Sequence, residues 1–197
     1  MSGRELPCVV VMASGNGSNF ESIVMASKEG QLNAEVELLI VDKDCYALKR
    51  AERLGVEHLK LGKPWKERLK ETLRKLQPDL IVLAGFMRIL PADIVMEWRW
   101  KVVNIHPSLL PAFPGKDAIK QAYDYGVKVT GITIHLVDEG VDTGPVVFQK
   151  ALEVKQNWDL ERLEQEIHRL EHENYPKVIN DLLHREWRLE GRKFVWI

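Results

Sequence analysis

Cysteine is scarce: Cys8 and Cys45 are the only two in 197 residues, too few and too far apart for a disulfide framework or a thiolate metal site. Cys8 falls in the apolar run of residues 8–12, where a buried reduced thiol is the simple reading. Long hydrophobic runs are missing as well. Nothing approaches the roughly 20 apolar residues needed to cross a bilayer, and Met1-Ser2-Gly3-Arg4-Glu5 lacks the apolar stretch of a secretory leader. The expected location is cytoplasmic, with no membrane partner. Nor does one sign of charge dominate. Twenty-eight Lys plus Arg against 29 Asp plus Glu leave a net charge of −1, which argues against a generic polyanion binder, so nucleic acid is not an expected partner. Repeats, low-complexity tracts and long Pro/Gly/Ser linkers are also missing.

What is present is ordinary globular material. At 45% hydrophobic and 29% charged, the chain can form a core and is not of disordered composition. Its length suits one domain over residues 1–197. The first half, to about residue 105, alternates short apolar runs with helical patterns, as a parallel sheet covered by helices requires. Strands are expected at 7–13, 36–41, 58–61, 80–84 and 102–105. Helices are expected from the end of the turn 14–19 to about 29, at 45–54 and at 64–75, with a short one opening at Pro91. From about 106 to 197 the pattern changes. Two longer strands (129–137 and 145–154) flank the loop 138–144. A helix follows at 160–183, with Leu160, Leu163, Ile167 and Leu170 on one face and a kink expected at Pro176. Residues 187–195 resemble a small hairpin. The predicted class is α/β: an open, mainly parallel twisted sheet flanked by helices, with antiparallel strands and a long kinked helix in the C-terminal half. Ligands are expected beyond the strand carboxyl ends.

Three segments could carry chemistry. Ser14-Gly15-Asn16-Gly17-Ser18-Asn19 lies where the first strand feeds the first helix, so it reads either as a turn with a helix cap or as a cradle for a phosphate monoester. It fits neither the P-loop nor the dinucleotide pattern. Asn104-Ile105-His106-Pro107 ends an apolar strand, which puts Asn104 and His106 on one side. An amide donor beside an imidazole suits addition of an amine to a carbonyl; a hydrogen-bonded strand end capped by Pro107 is the alternative. Asp142, between Gly140 and Gly144, is either a turn aspartate or a carboxylate that orients His106 and favours its charged form. His135, within an apolar strand, reads as a satisfied core histidine or one supporting the site from behind. His168 and His172 lie one helical turn apart with no third ligand, so no metal is expected. Ser14, Ser18 and Ser108 sit in no Gly-x-Ser-x-Gly elbow, which argues against a serine hydrolase.

Taken in order, these segments with Ala84-Gly85-Phe86-Met87-Arg88-Ile89-Leu90, the continuation Ser108-Leu109-Leu110-Pro111, Phe113-Pro114-Gly115 and Asp138-Glu139-Gly140-Val141-Asp142-Thr143-Gly144-Pro145 resemble the glycinamide ribonucleotide formyltransferases. The likeness covers nearly the whole chain. It implies transfer of formyl from 10-formyltetrahydrofolate, as co-substrate, to the glycyl amine of glycinamide ribonucleotide in purine synthesis. Direct amine attack through a tetrahedral intermediate would need no metal and no covalent enzyme intermediate. By the same likeness, Asn104, His106 and Asp142 are catalytic. Gly17, Ser18 and Asn19 hold the phosphate, and Glu171 contacts the ribose. Met87, Arg88, Ile89, Leu90 and Asn104 line the folate site, with Asp138, Glu139, Gly140, Val141 and Asp142 closing its other side. A homodimer is left open. Two stretches depart from the family pattern: Lys63 stands near a folate-contacting arginine of relatives, and Lys116-Asp117 replaces Leu-His. Formyltetrahydrofolate hydrolases and methionyl-tRNA formyltransferases share the core motif, but normally carry a further region for which this chain is expected to have no room. A catalytically silent folate- or nucleotide-binding protein is the reading from another class.

Overall fold

The structure is a computed structural model that describes residues 3–197. In chain order the elements are β1 (Cys8–Ala13), α1 (Ser18–Lys28), β2 (Glu35–Val41), α2 (Tyr46–Leu54), β3 (His58–Lys60), α3 (Trp65–Leu76), β4 (Leu80–Leu83), α4 (Ala92–Glu97) and β5 (Val102–His106). They continue as α5 (Ala118–Tyr125), β6 (Val129–Leu136), β7 (Val146–Glu153), α6 (Leu160–His184), β8 (Trp187–Glu190) and β9 (Lys193–Trp196). Seven strands form one sheet in the order β3-β2-β1-β4-β5-β6-β7. The first five pair in parallel, and β6 and β7 add antiparallel. The α/β class read from the alternating apolar runs is the one found.

The burial of β1 shows why. All six of its residues are buried, because helices cover both faces of a parallel sheet and leave no solvent side for alternation to record. Val9, Val11 and Ala13 face one core layer with α1, α2 and α6, while Val10 and Met12 face the other with α3 and α4. After β1 the chain builds outward through β2 and β3, then returns to place β4 on the opposite side of β1. The order reverses there, so a crevice opens beyond the carboxyl ends of β1 and β4.

Helix α6 runs unbroken from Leu160 to His184, although Pro176 lies inside it. Proline has no N–H for the carbonyl four residues back, that of His172. The Ser22 hydroxyl of α1 donates to that carbonyl at 2.9 Å, so the lost helical bond becomes an interhelix bond. One residue earlier, buried Tyr175 donates its hydroxyl to the Leu83 carbonyl at 2.7 Å, pinning α6 to the end of β4. Burial holds that phenol well above its usual pKa, so it remains a donor. Helix α5 had no counterpart among the expected elements. Only Ala118 and Ala122 are fully buried in it, with Ile119 and Tyr123 partly buried beside them, a short stripe over eight residues that gives periodicity little to register.

Candidate active site

A cleft of about 940 Å³ lies at the switch point, lined from both halves of the chain. Gly15 to Asn19 form one end. Residues 85–90, Asn104, His106 and residues 140–143 form the other, and His168 and Glu171 of α6 reach in from the side. The two ends of the cleft are stitched by Ser14, whose N–H donates to the Gly85 carbonyl at 3.1 Å and whose hydroxyl accepts the Met87 N–H at 2.8 Å. Ser14 is thus structural.

The glycine turn has a specific steric cause. Gly17 caps α1 with φ of 78°, the left-handed region, and a Cβ there would lie 2.7 Å from Cβ of Ala47. A glycine cap offers no side chain to the helix, so the first N–H groups of α1 face the cleft end without one. Around this end, Glu171 is buried and accepts from Asn19 Nδ2 at 3.1 Å. Its Oε2 lies 3.0 Å from Nδ1 of His168. That hydrogen bond raises the His168 pKa above its ordinary value. His172 Nε2 lies 2.9 Å from the Ser18 hydroxyl, and burial lowers the His172 pKa. The two rings stack at 6.4 Å and are engaged with different partners. Among the described residues no group of three or more His, Cys, Asp or Glu side chains could hold a metal ion.

At the other end, the hydrogen bonds define the tautomers. A carbonyl only accepts, so His106 Nε2, 2.8 Å from the Phe113 carbonyl, carries the hydrogen. Nδ1 is therefore the nitrogen free to exchange a proton, and it lies 3.6 Å from Asp142 Oδ2. Asp142 itself adopts a left-handed backbone with φ of 54°, and the same Oδ2 accepts the Gly115 N–H at 2.7 Å. His135 Nδ1 donates to the Leu136 carbonyl at 2.9 Å, which leaves Nε2 as an acceptor facing Asn104 Nδ2 at 3.2 Å. Burial pushes the His135 pKa down and keeps it neutral for that role. His135 thereby fixes which way the Asn104 amide points. The strand register makes this contact, since His135 of β6 pairs directly with Asn104 of β5.

Between these ends, Met87, Ile89 and Val141 are exposed apolar side chains on the cleft wall, a surface suited to a flat heterocycle. Leu90 is buried in the core layer of α3 and α4 while bordering the cleft. The Arg88 guanidinium turns away to pair with Asp42 at 2.9 Å and lies over the Trp65 ring. Burial would raise the Asp42 carboxyl, but hydrogen bonds from Ser14 and Arg88 outweigh it and hold the pKa below the usual value. Asp138 Oδ1 accepts the Gly140 N–H and the Thr143 hydroxyl, which folds the loop 138–144 on itself. Glu139 points outward to Arg99. Ser108 donates to the Ala112 carbonyl and shapes the loop after β5.

Sequence reading did not anticipate Trp65 and Lys66 on the cleft wall; Lys66, and not Lys63, contributes the lysine that α3 brings there. Lys116 and Asp117 also line the cleft. The Arg88–Asp42 pair spans 46 residues, and nothing local in the sequence signals it.

The Asn104 amide and the His106 imidazole at the end of β5 meet the Asp142 carboxylate from the loop after β6, an arrangement able to stabilise developing charge and move a proton during group transfer. The chain belongs to the formyl transferase family, whose model, described as "Formyl transferase", matches residues 8–179. Within that family it is 46% identical over 181 residues to the phosphoribosylglycinamide formyltransferase of Bacillus subtilis, covering 88% of this chain and 93% of the relative. It is 35% identical to the trifunctional purine biosynthetic protein adenosine-3 of Homo sapiens over 96% of this chain, which spans 20% of that longer protein. The solved glycinamide ribonucleotide transformylase 1 of Symbiobacterium toebii superposes with a TM-score of 0.91 at 35% identity, covering all of both chains. No helix among the described residues is long and apolar enough to cross a membrane.

Proposed function

We propose that this enzyme transfers the formyl group of 10-formyltetrahydrofolate to the glycyl amine of glycinamide ribonucleotide. The observation that carries the reading is the pairing of a phosphate-type cradle with a proton-handling triad across one cleft. The α1 N-terminus at Gly17, Ser18 and Asn19 takes the phosphate monoester on its open N–H groups and the helix dipole. Glu171, held by Asn19 and His168, accepts from the ribose hydroxyls. Exposed Met87, Ile89 and Val141 bracket the pterin, and the backbone of residues 87–90 and 138–142 supplies its polar contacts.

The folate co-substrate supplies the formyl carbon, and the chain moves the protons. Asn104 gives one amide hydrogen to His135 and keeps the other for the formyl oxygen as it gains negative charge. His106 accepts the proton that the attacking amine loses at Nδ1 and delivers it to the departing folate nitrogen. Asp142, 3.6 Å away, balances the imidazolium formed between those two transfers. One C–N bond forms, one breaks, and one proton crosses from acceptor to donor.

The phosphate half of this reading is tested by calorimetry with glycinamide ribonucleotide and its 5′-dephosphorylated analogue. Loss of the phosphate should weaken binding by about two orders of magnitude, as expected for several charge-assisted hydrogen bonds. Equal affinity would contradict it.

A further inference from the structure

We propose that the β8–β9 hairpin is a strap that holds the Asp142 loop in its working conformation, with Arg192 as a positioning residue; the proposal rests on the formyl-transfer reading above. Asp142 sits in the left-handed region, which a non-glycine residue keeps only where its surroundings hold it there. Within the loop, Asp138 staples Gly140 and Thr143, and Gly144 must pass so close beneath the Leu136 carbonyl that a Cβ would fall 1.7 Å from that oxygen. The Gly115 N–H holds the Asp142 carboxylate and Arg99 holds Glu139, but none of these bonds ties the Thr143 backbone to the scaffold.

Arg192 supplies that tie. Its Nη2 donates to the Thr143 carbonyl at 2.7 Å, one residue beyond Asp142. Arg192 occupies the two-residue turn between β8 and β9, and Gly191 before it has φ of 61°, which such a tight turn demands. The hairpin is built to be stiff. Trp187 stacks on Phe194 at 4.9 Å, Phe194 meets Trp196 edge-on at 4.8 Å, and the Arg185 guanidinium lies over Trp196. β9 in turn packs against β7, the strand the loop feeds. Loop and strap therefore share one base, and Arg192 closes the span between their free ends. The hairpin starts after residue 179, beyond the segment the family model matches, so the core motif does not account for it.

The test uses the full chain with Arg192→Ala and Arg192→Lys. Hydrogen exchange of the amides of residues 139–144, measured without ligands, should quicken by about three- to tenfold in Arg192→Ala, the range for one lost hydrogen bond. KM for 10-formyltetrahydrofolate should rise and kcat fall within the same range. KM for glycinamide ribonucleotide and the melting temperature should stay at wild-type values, and Arg192→Lys should recover part of the loss. Exchange and kinetics of Arg192→Ala matching wild type would overturn the strap. So would a rise in both KM values accompanied by a lower melting temperature, which marks a general structural role. If the wild-type protein transfers no formyl group, the functional reading fails, and the exchange measurement alone decides the strap.

Discussion

Replacing Asp142 by asparagine removes a charge while keeping almost every contact, which makes it the cleanest probe of the catalytic geometry. Oδ2 accepts from the Gly115 N–H at 2.7 Å, so the amide oxygen of asparagine must take that position. The NH2 group then replaces Oδ1, which faces the acceptor Nε2 of His135 at 3.9 Å. No donor meets a donor, and the fold has no reason to move. What is lost is the field on His106. Two unit charges about 4 Å apart interact by about 4 kcal/mol at an effective dielectric of about 20. The Asp142 side chain is 12% exposed, and the Gly115 N–H already draws on the same oxygen, so roughly half of that is a fair expectation. About 2 kcal/mol is about thirtyfold in kcat. Single-turnover formyl transfer reads this directly, with folate KM and melting temperature as controls. A kcat within about threefold of wild type, at unchanged melting temperature, would refute charge compensation and leave Asp142 as a loop residue.

Two further outcomes follow from the same geometry. Burial depresses the His135 pKa, so an unfolded chain takes up a proton near pH 6.5 that the folded form resists. Stability from this group is therefore present above about pH 6.5 and lost as pH falls through the folded value; the urea midpoint of His135→Phe should drop less than that of wild type between about pH 7.5 and 5.5, and equal drops would contradict this. Ser22→Ala should cost about 1 kcal/mol by stranding the His172 carbonyl, and less in a Pro176→Ala background, where the restored helical N–H takes its place. A double-mutant cycle with no coupling would show that the two residues do not share that carbonyl.

The parallel half of the sheet could be read from the sequence because strands such as β1 are buried on both faces and appear as unbroken apolar runs. The same holds for α6, whose Leu163, Ile167 and Leu170 recur at helical spacing against the core. Asn104 and His106 could be placed together because alternation along one strand decides their side. The contacts that make them a site could not. His135 reaches Asn104 only through the β5–β6 register, and Asp142 reaches His106 through a loop held by contacts distant in sequence, among them the Gly115 N–H. The Arg88 side chain pairs with Asp42, a choice made by tertiary charge pairing that no local pattern encodes. Helix α5 went unread because its apolar stripe spans only eight residues and its fully buried members are two alanines.

The central claim is that the cleft brings a phosphate-bearing amine to a formyl donor. It is tested most directly by supplying the purified protein with isotopically labelled 10-formyltetrahydrofolate and offering glycinamide ribonucleotide, methionyl-tRNA and water as competing acceptors. The account predicts label in formylglycinamide ribonucleotide, with chelators leaving the rate unchanged. Label appearing chiefly as free formate or on tRNA, or no transfer at all, would contradict it.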